Sequence, residues 1–288
     1  MPRSPQGAPR IKARPGTMSG WNERIADAIT AMGTEEFART LDRATETLFP
    51  YKICMVFAYE GNATPQSLYH NLPPDAARIV IWDYCTGPYL LDPFYAETER
   101  RRSGMAGLRQ MAPDKFFQSE YYAKHYSRTG IRDEIGIFAA IGPERVAVIS
   151  FARERGQPVF SARERTRLAE VGPVIEALMR GHWGVTAARE ARDDAADSAL
   201  PPLQVLLDRI AGGVLTPRET EVIAMVLRGY STTAIGANLE ISDETVKVHR
   251  KNAYRKLSIS SQAQLFSLFL KALDESSVAG QLQQRRSG

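Results

Sequence analysis

The chain has 288 residues, 43% hydrophobic and 24% charged, with a net charge of +4. That length allows one large domain or two ordinary ones, and the composition is globular. No stretch approaches the ~18 unbroken apolar residues of a membrane span, and the start lacks the apolar core of a signal peptide, so a cytoplasmic protein is expected. The two cysteines, Cys54 and Cys85, form no CxxC, and the four histidines are scattered. Neither metal nor cofactor is expected. The charge is unevenly placed: Thr245 to Leu257 holds Lys247, Arg250, Lys251, Arg255 and Lys256 and no acid. Clustering on one segment is the electrostatic footprint of nucleic-acid binding.

Residues 1–20 are rich in Pro, Gly and Arg without periodicity and read as a disordered tail. Phe37, Leu41, Ala44 and Leu48 recur at helical spacing, which predicts an amphipathic helix over Thr34–Leu48, ended by Pro50. Tyr51–Tyr59 reads as a largely buried strand and Gln66–His70 as a short one. Gly136–Ile141 and Arg145–Phe151 are apolar and β-branched around Gly142-Pro143-Glu144, a hairpin signal. Ser161 and Glu164 form a capping box that opens a long helix toward His182, with Pro173 expected to kink it. This order predicts one α+β domain over 21–184, an antiparallel sheet flanked by helices.

Residues 185–203, rich in Ala, Arg and Asp and closed by Pro201-Pro202, read as a linker. From 204 to 274 the pattern is all helical. Thr216 caps a helix whose first turn carries Pro217 and Glu219, and Gly229 suits its left-handed end. Ser231 caps a short helix with Ile235 and Leu239. After the turn at Glu240-Ile241, Ser242 caps a third, with Asp243 and Glu244 at its positive end. Val246, Ala253 and Leu257 form the inner seam of that third helix, opposite Lys247, Arg250, Lys251 and Arg255. A thin apolar seam, a basic outer face, a short preceding helix and a tight turn suit the DNA major groove. Val248 lies off the seam, where a thymine methyl would explain it better than burial.

Leu215 to Val222, Gly229-Tyr-Ser231, Ile235, Leu239, Ile241-Ser242, Thr245 to His249 and Lys256-Leu257 together resemble the LuxR-type helix-turn-helix. The resemblance spans about 55 residues and implies a four-helix DNA-binding domain of a bacterial transcription regulator. Residue by residue, it implies base reading by Lys247, Val248 and Lys251. Thr245, His249 and Arg250 lie beside them as backbone or framework contacts, and Arg255 is a further DNA contact. The last helix, Gln262–Leu273, is apolar nearly all round, and in this family it serves dimerisation. A homodimer on an inverted-repeat operator is therefore expected, with RNA polymerase as a further candidate partner. Residues 275–288 read as a second disordered tail.

Ten aromatic residues fall between Trp82 and Tyr126, a composition suited to a small-molecule pocket. Trp82, Tyr84, Tyr89, Asp92, Tyr95 and Phe117 are the candidate ligand residues. Leu91-Asp92-Pro93-Phe94 resembles the Asp-Pro motif of acyl-homoserine-lactone receptors. Those receptors place Tyr and Trp nine and thirteen residues before the Asp, where this chain has Asp83 and Ile79. Trp82 and Tyr84, two apart, cannot share a helix face. Asp92 could instead cap the helix that Pro93 begins. The expected domain is accordingly a GAF/PAS-like sensor for a different small effector, with a lactone receptor as the alternative. A phosphoreceiver would need acids and a lysine at spacings that do not occur, and a sigma factor would carry promoter-melting aromatics instead of a sensor. No nucleophile–base constellation stands out, and adjacent Asp133-Glu134 cannot face one another, so no enzyme is expected.

Overall fold

The computed structural model describes residues 18–190 and 203–287. Two helices open the chain, α1 (Met18–Thr30) and α2 (Phe37–Glu46). The first takes in the end of the expected tail, the rest of which lies outside the described residues. Five strands follow, β1 (Ile53–Glu60), β2 (Gln66–His70), β3 (Gly104–Gly107), β4 (Ile131–Ala140) and β5 (Arg145–Glu154). They pair antiparallel in the order β2-β1-β5-β4-β3. The expected hairpin is β4–β5, and β3 was not foreseen.

Side chains on a strand alternate between faces, and here both faces are covered. Cys54, Val56, Ile135, Ile137, Ile149 and Phe151 pack against α1, α2 and the long helix α5 (Ala162–Glu190). Met55, Phe57, Tyr59, Phe138 and Val148 pack on the opposite face under the aromatic-rich segment between β2 and β4. Burial on both sides explains why β1, β4 and β5 read as continuous apolar runs despite antiparallel pairing. Helix α5 starts at the expected capping box, where the Ser161 amide donates to Glu164 at 2.8 Å, and it continues past Pro173 to Glu190. Most of the expected linker lies outside the described residues.

The crossing segment is a chain of short helical pieces, of which α3 (Pro93–Glu99) and α4 (Glu120–Lys124) matter most. Asp92 caps α3, accepting from the Phe94 amide at 2.8 Å. Phe94 then stacks on Phe138, centroids 5.9 Å apart. Only glycine permits this: a Cβ at Gly136 would lie 2.7 Å from the Phe94 ring.

The C-terminal unit comprises α6 (Leu203–Ala211), α7 (Pro217–Arg228), α8 (Thr232–Leu239), α9 (Asp243–Lys256) and α10 (Gln262–Ser287). Leu206, Ile223, Leu227, Ile235, Val246, Ala253 and Phe269 form its core. Helix α10 runs on well past Leu273, so the tail expected from 275 is helical instead. Asp274 to Arg286 contains no proline, and its Ala, Leu, Gln and Arg are good helix formers.

Gly136→Ala drives a methyl into the Phe94 ring and should cost about 1–3 kcal/mol. Denaturant unfolding of the single variant and of Gly136→Ala with Phe94→Leu checks this. The smaller side chain should recover part of the loss.

Candidate functional site

The helix-turn-helix is built by local capping. The Thr216 amide donates to Glu219 Oε2 at 2.8 Å and the Thr216 hydroxyl accepts from the Glu219 amide at 3.3 Å, so each satisfies an orphan group of the other. Ser231 and Ser242 accept from the Ala234 and Thr245 amides at 3.1 Å each. Gly229, at φ +90°, closes α7 in the left-handed region. Glu219 also receives Lys256 Nζ at 2.7 Å. Burial alone would push the Glu219 carboxyl up, but Lys256 and Thr216 outweigh it and hold it below the usual range.

Val246 and Ala253 are buried and Leu257 half-buried, forming the seam of α9. Lys247, Val248, Arg250, Lys251 and Arg255 are exposed, while Thr245 and His249 are half-buried beside them. Val248 is 55% exposed, an apolar side chain held out among cations. Lys247 pairs with the exposed Glu244 at 2.6 Å, a surface contact that a phosphate or base could displace.

A cavity of about 30 Å³ lies between the sheet and the crossing segment. Its walls include Phe57 and Tyr59 of β1, Tyr84, Asp92, Phe94, Tyr121, His125 and Tyr126 of the crossing segment, Glu134 of β4 and Ser150 of β5. Of the six expected ligand residues, only Tyr84 and Asp92 reach it. Tyr89 and Tyr95 are buried behind the wall, their rings edge-to-face at 5.0 Å. Trp82 is 69% exposed, on the outer side of its turn. Phe117 is 36% exposed and lies under the Arg109 guanidinium at 5.1 Å. Aromatic density located the segment without distinguishing the inner from the outer faces of its short helices.

Glu134 is the largest omission. Strand alternation places it with Gly136 and Phe138 on the cavity face, whereas Asp133 turns away to the Phe160 amide at 2.8 Å and Arg165 at 3.0 Å. Glu134 accepts from the Tyr126 hydroxyl at 2.8 Å and from Ser150. Burial first, and the Asp92 carboxylate second, push its pKa up to about 8. Burial likewise raises Asp92 to about 6, against the bonds from the Phe94 amide and Tyr84. His125 is lowered by burial to about 4, so it is neutral at pH 7.

The cavity wall continues into a contact with the helix-turn-helix. The Lys115 amide donates to the Gly229 carbonyl at 3.0 Å, and the Ser231 amide to Asp114 Oδ1 at 2.9 Å. Arg228 reaches the Leu90 carbonyl at 3.4 Å and Glu99 at 3.2 Å. Phe116 lies so close that a Cβ at Gly229 would sit 2.8 Å from its Cα. On α10, the Lys124 ammonium sits 5.6 Å from the Phe266 ring centre, and Leu273 packs against Gly87. Part of the apolar face of α10 is thus covered within one chain, while Leu270 stays exposed. Phe266, Phe269 and Leu273 are all buried.

A sheet domain with a small cavity, joined to a helix-turn-helix whose basic face is open, defines a DNA-binding regulator with an N-terminal ligand-binding domain. Residues 213–269 match the family described as GerE, bacterial regulatory proteins of the luxR family. An HTH-type transcriptional regulator of Aeromonas salmonicida is 31% identical over 186 residues, 63% of this chain and 94% of that one. The monoamine regulon transcriptional regulator of Klebsiella aerogenes is 31% identical over 147 residues, 51% of this chain and 54% of that one, so the match spans about half of that relative. The VqsR LBD domain of Pseudomonas aeruginosa shares the fold, with a TM-score of 0.50 at 24% identity, over 56% of this chain and 95% of that one. The chain belongs to the LuxR family of transcriptional regulators.

A carboxyl raised on folding binds its proton more tightly in the native state than in the unfolded chain, where glutamate titrates near ~4.3. Glu134 therefore favours the fold fully below about pH 4, and that contribution is lost as pH rises toward about 8, by at most about 1.4 kcal/mol per pH unit. Glu134→Gln should flatten this dependence. Melting temperatures at pH 5 and pH 8.5 should differ less in the variant than in the wild type.

Proposed function

We propose that this regulator senses a small molecule other than an acyl-homoserine lactone and passes the state of its cavity to the helix-turn-helix through residues 113–126. The cavity itself carries the first part. At about 30 Å³ it holds roughly two or three waters and offers no slot for an acyl chain. Binding without conversion fits the same lining: the Ser150 hydroxyl goes to Glu134, and the His125 ring stacks on Tyr121 at 5.5 Å. No nucleophile is thereby paired with a base.

Continuity of the chain supports the second part. Tyr121 and Tyr126 wall the cavity, while Asp114, Lys115 and Phe116, a few residues earlier, hold Gly229 and Ser231. The DNA-reading face of α9 stays open in this arrangement, so control acts on where the domain is held and not on covering it. In this reading Lys247, Val248 and Lys251 contact bases, and Thr245, His249, Arg250 and Arg255 the backbone. A cytoplasmic homodimer would bind an inverted repeat, with RNA polymerase as a further partner. Leu270, 38% exposed on α10, is an apolar residue left available for that dimer.

Lys251→Ala should cost roughly 1–3 kcal/mol of specific DNA affinity. Arg255→Ala should weaken binding to all sequences alike and flatten its salt dependence. Operator titration of both variants, with a footprint of the wild type, checks this. Unchanged binding by Lys251→Ala would refute the docking of α9, and protection of a single half-site would refute the dimer. Asp114→Ala should speed amide exchange at Ser231 about tenfold or more. An unchanged rate, followed by hydrogen exchange, would mean that the two domains are not held together there in solution.

A further inference from the structure

Glu134 and Asp92 line the same small cavity, and no lysine or arginine lines it with them. His125, the remaining basic group of the lining, is neutral at pH 7 because burial lowers it. A buried carboxylate without a cation is costly, and two around one space are more so. A third polar atom faces the same problem. The Tyr121 hydroxyl is buried, lines the cavity and has no hydrogen-bond partner. It lies within electrostatic reach of both acids. Phe57, Tyr84, Tyr121 and Tyr126 supply aromatic surface around these groups.

Three acceptors and no protein cation describe the complement of one ligand class. We propose that the cavity binds a small organic cation, a protonated primary amine of a few carbon atoms. Its ammonium group is taken by Glu134, Asp92 and the Tyr121 hydroxyl, and its carbon chain by the surrounding rings. This rests on the proposed sensing role of the cavity and assigns its ligand class. An ammonium carries three N–H donors and no acceptor, which matches the acceptors one for one. The aromatic faces add cation–π attraction, strongest where water is excluded. A neutral amide brings too few donors, and a carboxylate ligand would place its negative charge beside that of Asp92. The size of the cavity limits the ligand to a few heavy atoms unless the 113–130 wall moves.

Binding also moves a proton. The titratable groups facing Glu134 are Asp92, His125 and the hydroxyls of Tyr59, Tyr84, Tyr121 and Tyr126. The tyrosines are raised by burial and stay neutral. With the cavity empty, Glu134 holds a proton at pH 7, since its pKa is about 8. An entering ammonium ion, already charged, ionises Glu134 and releases that proton to solvent.

The test uses the full chain and, as probes, n-propylammonium chloride, n-propanol, sodium propionate and the larger N-butanoyl-homoserine lactone, with sodium chloride as the salt control. Propylammonium should raise the melting temperature saturably, and propanol and propionate should not. Calorimetry at pH 7 in two buffers of different ionisation enthalpy should show close to one proton released per propylammonium bound. Glu134→Gln keeps the shape of the side chain and removes its charge, and should weaken propylammonium about tenfold or more. Asp92→Asn, which retains the cap on α3, should weaken it in the same direction. Propanol stabilising as well as propylammonium, and losing that effect in Glu134→Gln, would overturn the cationic class and leave the sensing role intact. Saturable stabilisation by N-butanoyl-homoserine lactone alone would overturn both. No response to any probe, or undiminished propylammonium binding by Glu134→Gln, overturns the proposal.

Discussion

The constraint on which the structure depends is a five-stranded sheet that is apolar on both faces. Neither face can be left to water, because each exposes several large side chains whose burial contributes about 25 cal/mol per Å². One face is closed by α1, α2 and α5, whose apolar residues pack against it. The other is closed by the irregular segment between β2 and β4, made of short helical pieces that cannot mesh with a flat sheet at every point. The cavity is where that cover fails to fit. Some of its polar groups are held by neighbours, Tyr59 bonding to Tyr84 at 2.9 Å and Tyr126 to Glu134 at 2.8 Å, while the Tyr121 hydroxyl is not.

The same segment has a second, outer surface, and that surface holds the helix-turn-helix. Gly229 serves both purposes there. Its φ of +90° ends α7 in a left-handed turn, and its missing side chain lets Phe116 approach the backbone. The turn that shapes the DNA-binding domain is therefore also the point at which the sensor grips it. Arg228, one residue earlier, extends the grip to the Leu90 carbonyl and Glu99. Leu90 precedes Asp92 by two residues, so two separate stretches of the cavity-covering segment touch the same corner of the helix-turn-helix.

How much of this was legible in the sequence depended on the range of the interactions. The helix-turn-helix could be read nearly residue by residue because its caps are local: Thr216 with Glu219, Ser231 with Ala234, Ser242 with Thr245. The strands with clear flanks, Gln66–His70 and the β4–β5 hairpin, were legible for the same reason. The cavity was not, because its walls come from β1, β4, β5 and several short helical pieces that only tertiary packing assembles. Trp82 and Phe117 drew attention as aromatics but face outward, since pieces of three to five residues carry no usable periodicity. Glu134 did carry a signal. It sits two and four residues before Gly136 and Phe138, on the strand face opposite Ile135 and Ile137, where an acid is out of place. The share of the α10 face that its own chain covers was not legible, because sequence does not show that α4 and the Gly87 turn lie against Phe266 and Leu273.

The open DNA-reading face of α9 limits how such a protein can be controlled. Masking would require the sensor to cover Lys247, Lys251 or Arg255, yet all three are exposed while the domains are in contact. What the contact fixes is the position of α7 and α10 relative to the sheet. For a single helix-turn-helix that would hardly matter, since one half-site accepts any approach that seats its recognition helix. For two copies on an inverted repeat it matters a great deal, because half-sites lie about 34 Å apart along the duplex and both helices must enter together. In the proposed dimer, a shift of a few ångströms in the wall at Asp114–Phe116 would change affinity without altering the exposed face of α9. The cavity adjoins that wall: Tyr121 and Tyr126 line it, and the preceding turn of the same segment holds Gly229.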